Sequence, residues 1–304
     1  MNKKTILITG SNGLLGQKLT DLLLETKDFN FVATGIGASR HPNKDINYQQ
    51  LDITKESEVL DSILKNKPNF VINTAAMTNV DACEDDKEKC DALNVNAVEF
   101  LAKACEENAA RLIHLSTDFI FDGENGPYKE DAKPNPLSYY GESKLKGEEI
   151  VKERCSKWTI LRTVLVYGIV HDMSRSNIVL WAKDALKNKK EINVVDDQFR
   201  TPTLAEDLAM GCYLACKVEA QGIYNISGKD FMSIYELIER VAKYYGLSME
   251  NVGKTDSKSL NQKAERPPIT GFDLSKAIKE LGYKPRSFEE GIEMLENQMS
   301  QIYI

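Results

Sequence analysis

Three glycines at positions 10, 13 and 16 follow a short apolar run, TILIT (5–9). They lead straight into LLGQKLTDLLLE, whose Leu15, Leu19, Leu22 and Leu23 recur at helical spacing. A strand, a glycine-rich turn and a helix in that order leave little choice of fold. The glycines allow a tight turn and close backbone approach, and the helix start presents unpaired N–H groups and a positive dipole end. The spacing is Gly-x-x-Gly-x-x-Gly rather than Gly-x-Gly-x-x-Gly, but the physical purpose is the same, to seat a pyrophosphate on a helix N-terminus. A dinucleotide is the expected ligand.

The alternation continues through the first half of the chain. FNFVATGI, FVIN (70–73), ARLIHLST and WTILRT (158–163) read as strands. KESEVLDSILKNK, with Asp52 or Thr54 as a cap, LNVNAVEFLAKACEEN and LKGEEIVKERC read as the helices between them. Strands of nearly continuous apolar character separated by helices imply a parallel sheet covered on both faces, an α/β fold of the doubly wound Rossmann type. Beyond residue 165 the rhythm loosens. IVLWAKDALKNKK and IYELIERVAKYYG fit helices, GIYNIS fits a strand, and the polar GKTDSKSLNQKAERPP shows no period. The tail reads as two short helices around a Gly-Tyr-Lys-Pro turn. The expected division is a cofactor-binding domain over 1–165, taking in segments from about 192–226, and a smaller α/β substrate-binding lobe over 166–304. That lobe should pack on the C-terminal edge of the sheet, where such folds bind ligands.

A net charge of −7 argues against nucleic acid as a partner, because phosphates demand a basic face. The apolar runs are too short to span a membrane, and the run after the basic MNKK ends at Gly10, too soon for a signal peptide. A cytoplasmic protein is expected. The six cysteines form no Cys-x-x-Cys pair, so they read as buried free thiols in a reducing compartment, although Cys212 and Cys216 share a helix face. The histidines, His41, His114 and His171, are scattered, and His114 sits in the apolar RLIHLS as a core residue. No metal site is expected.

The second strand bears on which dinucleotide is used. An NAD site normally carries Asp or Glu about 20 residues after the glycines. Here no acid lies between Val32 and Lys44, and Ser39 and Arg40 stand where a 2′-phosphate would lie. NADP(H) is favoured, with NAD(H) as the alternative. Asp52 and Ile53 end a further short run where adenine would sit, and Ala75 and Ala76 let backbone approach the cofactor. Asn12, Leu14 and Leu15 of the turn, with Thr74, Thr78 and Asn94, complete the candidate cofactor contacts.

At the end of the fourth strand, HLSTDFIFDG offers Ser116 or Thr117 as a hydroxyl facing the crevice, and strand alternation allows only one of them. SYYGESKLKGEE (138–149) follows, with Tyr140 four residues before Lys144. That spacing alone is cheap, since Tyr213 and Lys217 repeat it. On a helix, Tyr140 and Lys144 share a face, and the ammonium is expected to draw the phenol down from its usual pKa of ~10. Tyr139 lacks a lysine at the same spacing. General acid catalysis by Tyr140 on a substrate carbonyl, with Lys144 on the ribose hydroxyls, is the expected chemistry.

The glycine loop, NTAAMTNVDACE, STDFIFDG, NPLSYYGESKLKGE, LRTVLVYG, DDQFRTPTLAEDLA and ERPPITGFDLSKAIKELGY occur in this order. Together they resemble the extended short-chain dehydrogenase/reductase superfamily and, within it, the dTDP-4-dehydrorhamnose reductase family. The resemblance implies reduction of a nucleotide-linked 4-keto-6-deoxy sugar by NAD(P)H, serving polysaccharide synthesis. It implies Thr117, Tyr140 and Lys144 as the catalytic triad, with Asp118 as an added active-site residue. Thr78, Val80, Phe119, Arg200, Thr201 and Arg266 become candidate substrate contacts, although either arginine could instead bridge the lobes. Phe119 stands where rhamnose-forming members carry tyrosine, and Val164-Leu165-Val166 replaces a block that tends to hold tryptophan. Gln17 and Lys18 replace the glutamate with which some members hold magnesium between subunits, so no metal is carried over. The superfamily suggests a homodimer. Two alternatives are a nucleotide-sugar epimerase or dehydratase, and a non-catalytic NADP-binding subunit resembling the regulatory subunit of methionine adenosyltransferase.

Overall fold

The computed structural model describes residues 3–173, 176–260 and 262–302. Its first half contains strands β1 (Thr5–Thr9), β2 (Asn30–Gly35), β3 (Tyr48–Gln50), β4 (Phe70–Asn73), β5 (Arg111–Thr117) and β6 (Trp158–Thr163). Between them run helices α1 (Leu14–Thr26), α2 (Glu56–Asn66), α3 (Val80–Asp85), α4 (Lys87–Asp91), α5 (Ala97–Glu107) and α6 (Tyr139–Arg154). The second half holds β7 (Val166–Tyr167), α7 (Ile178–Lys187), β8 (Ile192–Val195), β9 (Phe199–Arg200), β10 (Thr203–Leu204) and α8 (Ala205–Lys217). After these come β11 (Gly222–Asn225), β12 (Met232–Ser233), α9 (Ile234–Tyr245), β13 (Val252–Thr255), α10 (Ser275–Leu281) and α11 (Phe288–Ile302).

Seven strands make one sheet in the order β11-β6-β5-β4-β1-β2-β3, and every pairing in it is parallel. This is the doubly wound Rossmann-type fold that the apolar runs imply. Alternation explains why those runs lack polar breaks. Ile6 and Ile8 of β1, Ile72 of β4 and Leu161 of β6 face the core under α1 and α8. Leu7, Val71 and Ile160 face the opposite core under α2, α5 and α6. With both faces buried, both sets of side chains are predominantly apolar.

The chain order reverses between β1 and β4, which lie side by side at the centre of the sheet. A crevice opens at the C-terminal ends of such a pair, and ligands of open α/β sheets bind there. Of the 192–226 stretch, α8 and β11 join the main sheet and its flanking layer, whereas β8 pairs with β13 in a separate two-stranded sheet. A third core gathers Val179, Leu186, Leu237, Ile238, Val241, Ile292 and Leu295 from α7, α9 and α11. The polar segment read as aperiodic contains β13, whose pairing to β8 is set by register rather than by hydrophobic pattern. No helix among the described residues is long and apolar enough to cross a membrane.

Candidate active site

The glycine turn is a cradle that side chains would fill. Gly10 has φ of 66°, and a Cβ there would stand 2.9 Å from the backbone of Ala75 at the end of β4. A Cβ on Gly16 would lie 2.5 Å from the Gly10 carbonyl oxygen, so α1 can pack onto its own turn only with glycine there. No side chain caps α1, and its first turn (Leu14, Leu15, Gly16) carries no acid, which leaves the helix start suited to an anion. Thr74 holds the other wall in place by donating its hydroxyl to the Thr9 carbonyl at 2.6 Å.

Asn12 braces the adenosine end. Its Nδ2 lies 3.2 Å from the Ile36 carbonyl and 3.0 Å from that of Ala38, and its Oδ1 accepts the Arg40 N–H at 2.9 Å. Arg40 is exposed, and its guanidinium enters no ion pair among the described residues. Ser39 Oγ accepts the His41 N–H at 3.2 Å. Asp52 turns its carboxylate onto Thr54, at 3.0 Å from the N–H and 2.7 Å from the hydroxyl, and Ile53 is buried in the core. Those two present backbone rather than side chain to a ligand. Asn94, fully buried in a π-helical turn over Ala92–Asn96, accepts the Met77 N–H at 2.9 Å. It also donates to the Met77 carbonyl and Ser143 Oγ, each at 3.0 Å, fixing the loop that carries Ala75, Ala76 and the exposed Thr78. A π-turn in this position re-aims one side chain without ending the helix.

At the end of β5, Thr117 is the hydroxyl beside Tyr140, and Ser116 points to the Glu148 side of the strand. Thr117 donates to Asp118 Oδ1 at 3.0 Å. The Tyr140 phenol lies beside this hydroxyl, an interaction that lowers the phenol against the effect of burial. Asp118 is 2% exposed; burial raises its carboxyl, while the Arg200 guanidinium and hydrogen bonds from Thr270 and Thr117 oppose the rise. Tyr140 is the second residue of α6, whose N-cap Ser138 accepts the Gly141 N–H. Tyr139 points elsewhere and donates to Asp91 Oδ2 at 2.7 Å. The duplicate pair also resolves: the Tyr213 hydroxyl is bonded to Asp28, and its ring packs edge-on to Phe29.

The expectation that Lys144 lowers the Tyr140 phenol is not met. Burial pushes the phenol up, the neighbouring Thr117 counters only part of this, and the charge of Asp118 adds to the rise. The Lys144 ammonium turns instead to the Leu115 carbonyl at 2.6 Å and His114 Nε2 at 3.3 Å. Burial pulls it down to about 8, against the opposing charge of Glu148. His114 is thus more than a core residue. Burial and the adjacent Lys144 hold its ring well below the usual histidine range, so it is neutral. A charged Lys144 can only donate, so Nε2 accepts and Nδ1 carries the ring proton. In the structure Nδ1 faces Asn73 Nδ2 at 3.3 Å and Asn73 Oδ1 accepts the Thr9 hydroxyl at 2.7 Å; with Nδ1 protonated the amide is turned over, its oxygen meeting the Nδ1–H and its nitrogen Thr9 Oγ1. A polar file therefore crosses β1, β4 and β5 to reach the lysine. Its only trace in the sequence is one polar residue at the same depth in each strand.

A cleft of about 280 Å³ opens beside Asp118 and Phe119, bounded by Leu165, Trp181, Gln198, Arg200 and Arg266. Phe119 meets the Tyr140 ring edge-on at 5.7 Å. Leu165 holds φ of 38°, a strained conformation for a branched side chain and one that clusters at functional sites. Arg200 is spent inward, donating to the carbonyls of Phe199, Pro267 and Pro268 at 2.7–3.0 Å. Thr201 is buried against Ser227 Oγ at 3.0 Å. Arg266 forks onto both oxygens of Asp81, at 3.2 and 2.7 Å, which ties the cleft rim to α3 next to Val80. Gln198 passed unnoticed in the sequence, and its buried Nε2 has no partner. An orphaned donor on a cleft wall calls for an acceptor on the ligand. Lys18 lies 2.8 Å from Gln298 Oε1 and 3.1 Å from Glu206 Oε1, an internal cation bound between α8 and α11.

Comparison with known proteins matches residues 4–301 to the model for the RmlD substrate binding domain. The chain is 30% identical over 295 residues to the probable low-salt glycan biosynthesis reductase Agl14 of Haloferax volcanii, covering 96% of this chain and 97% of that one. It is 32% identical over 292 residues to methionine adenosyltransferase 2 subunit beta of Xenopus laevis, covering 94% and 85%. Among solved structures it superposes on dTDP-4-dehydrorhamnose reductase of Bacillus anthracis in complex with NADP with a TM-score of 0.85. That pair is 28% identical over 98% of this chain and 100% of the other.

Proposed function

Because the chain belongs to the RmlD substrate binding domain family, within the extended short-chain dehydrogenases/reductases, we propose that it reduces the keto group of a nucleotide-linked 4-keto-6-deoxy sugar with NADPH. The observation that carries this reading is the placement of the Tyr140 phenol beside Thr117, which is itself bonded to Asp118 at the end of β5. When bound, the nicotinamide supplies hydride to the carbonyl carbon. Tyr140, whose phenol burial keeps protonated, gives its proton to the carbonyl oxygen. As substrate enters, Thr117 turns its one proton from Asp118 to the same oxygen. Lys144 holds the ribose hydroxyls and returns positive charge to the site as Tyr140 loses its proton. Gly10, Gly13 and Gly16 admit the pyrophosphate, and Arg40 meets the 2′-phosphate. Gln198 and Arg266 face the sugar nucleotide across the cleft. All six cysteines are unpaired thiols, in keeping with a cytoplasmic enzyme.

Nicotinamide absorbance tests this reading. NADPH should be oxidised with dTDP-4-keto-6-deoxy-L-mannose or a related 4-ketosugar. Tight NADPH binding with no oxidation by any ketosugar would move the protein to a second reading, an NADP-binding regulatory subunit. The 32% identity to methionine adenosyltransferase 2 subunit beta supports that alternative.

Two further outcomes follow from the cofactor side. Arg40→Ala should lower the NADPH-to-NADH affinity ratio roughly tenfold to a hundredfold, since a hydrogen bond to a charged group is worth about 1.5–3 kcal/mol. An unchanged ratio would remove Arg40 from the phosphate site. The second outcome concerns pH. Lys144 is charged below about 8 and neutral above it, so kcat/KM for NADPH, which reports the free enzyme, should fall as pH rises through that value. His114→Phe removes an acceptor from the ammonium and should move this limb to lower pH, whereas His114→Gln should restore part of it. A limb that stays fixed in the Phe variant would reduce His114 to packing.

A further inference from the structure

The chain has three histidines, and two of them converge on one carboxylate. His41 Nε2 is 2.9 Å from Asp21 Oδ1, and His171 Nε2 is 3.1 Å from Oδ1 and 3.0 Å from Oδ2. The two rings stand edge to face with centroids 5.0 Å apart, and the three donor atoms all lie within 4.8 Å of one another. The residues come from α1, from the loop after β2 and from the segment after β7, so no local pattern imposes the meeting. It is built from below. Gln17, fully buried one turn before Asp21, accepts the His171 N–H at 2.8 Å and donates to the Asn12 carbonyl at 3.2 Å. His41 is 5% exposed, while the side chains of His171 and Asp21 are 27% and 37% exposed, so the group opens to water on one side.

We propose that Asp21, His41 and His171 bind a divalent transition metal ion such as Zn²⁺, through two imidazole Nε2 atoms and a carboxylate oxygen, with water completing the coordination. Two nitrogens and one oxygen suit zinc and its neighbours, whereas magnesium and calcium prefer all-oxygen sets. Zinc–ligand bonds of about 2.0–2.2 Å in a tetrahedron place ligand atoms roughly 3.3–3.5 Å apart, so the His–Asp separations of 2.9–3.1 Å need widen by only a few tenths of an ångström. On binding, the metal takes the lone pair of each Nε2, and each ring proton resides on Nδ1. For His41 this displaces the Asn43 N–H, which donates to Nδ1 at 3.2 Å, so the turn at 41–43 shifts as the ion enters. That turn follows Ser39 and Arg40 directly. The six cysteines are all buried and do not compete. The site stands independently of the proposed reduction.

Calorimetric titration of the intact, chelator-treated chain with Zn²⁺, and visible absorption with Co²⁺, test the proposal. One ion per chain is expected, with tetrahedral Co²⁺ bands and a Zn²⁺-dependent rise in Tm. His171→Gln and Asp21→Asn should each weaken binding roughly tenfold or more and abolish the rise in Tm. The Tm of each variant without metal checks that it still folds. Absence of Zn²⁺ binding by the unaltered chain, or variants that bind as tightly as it does, would overturn the site.

Discussion

Tyr140→Phe should keep its affinity for NADPH and lose about two to four orders of magnitude in kcat, the range supplied by a positioned general acid. The substitution removes one oxygen. The ring stays in its place among Cys83, Cys90 and Phe119, so the pocket keeps its shape. What is lost is the only O–H aimed at Thr117 from α6, and with it the proton for the nascent alkoxide. Because burial raises the phenol rather than lowering it, Tyr140 is the acid form throughout the neutral range, which suits reduction. Single-turnover oxidation of bound NADPH, with cofactor affinity measured separately, reads the two effects apart. A kcat within a few-fold of the unaltered chain would mean that the proton comes from elsewhere.

The largest stability effect is expected two turns further along α6. Glu148 is fully buried, and Arg162 of β6 forks onto it with both bonds at 2.8 Å. Glu148→Gln leaves the guanidinium uncompensated in the interior, which typically costs about 3–5 kcal/mol. The midpoint of urea unfolding should fall accordingly. Replacing both partners, as Glu148→Leu with Arg162→Met, should recover most of the loss, because two apolar side chains remove the buried charges together. A Glu148→Gln chain as stable as the original would show that water reaches the pair. The pH dependence has a definite sign. Burial raises the Glu148 carboxyl, but Arg162 outweighs it and holds the group below its ordinary range. Its contribution is present at neutral pH and is lost as pH falls through that lowered value. Glu148 also favours the charged form of Lys144, so Glu148→Gln should depress activity even where the chain remains folded.

The central strands could be read because burial on both faces leaves an unbroken apolar signature. β4 at 70–73 and β6 at 158–163 keep the bounds their sequence implies. Helical register separated Tyr140 from Tyr139, whereas strand alternation left Ser116 and Thr117 open until the fold set Thr117 beside Tyr140 and Ser116 on the Glu148 side. The rest lay in contacts between residues far apart in the chain. β3 is three residues long with two glutamines, and only its pairing with β2 makes it a strand. Asp81 and Arg266, 185 positions apart, meet because the lobes close on each other. His114 looks like any buried histidine until β4 brings Asn73 beside it and α6 brings Lys144. His41 and His171 carry no spacing signal, because their shared partner lies on a third element. The direction of the Tyr140 shift was misread because helical spacing reports shared faces and not where a flexible lysine ends.

Asn12 fastens the loop behind Arg40 at three main-chain points. The conformational entropy of that loop is therefore surrendered when the chain folds, not when the cofactor arrives. A ligand meeting a surface already in shape need not wait for a segment to settle around it, and its free energy of association is not reduced by that ordering. On the proposed reading, discrimination between the two nicotinamide dinucleotides rests on the exposed Arg40 side chain, mounted on a backbone already held in place.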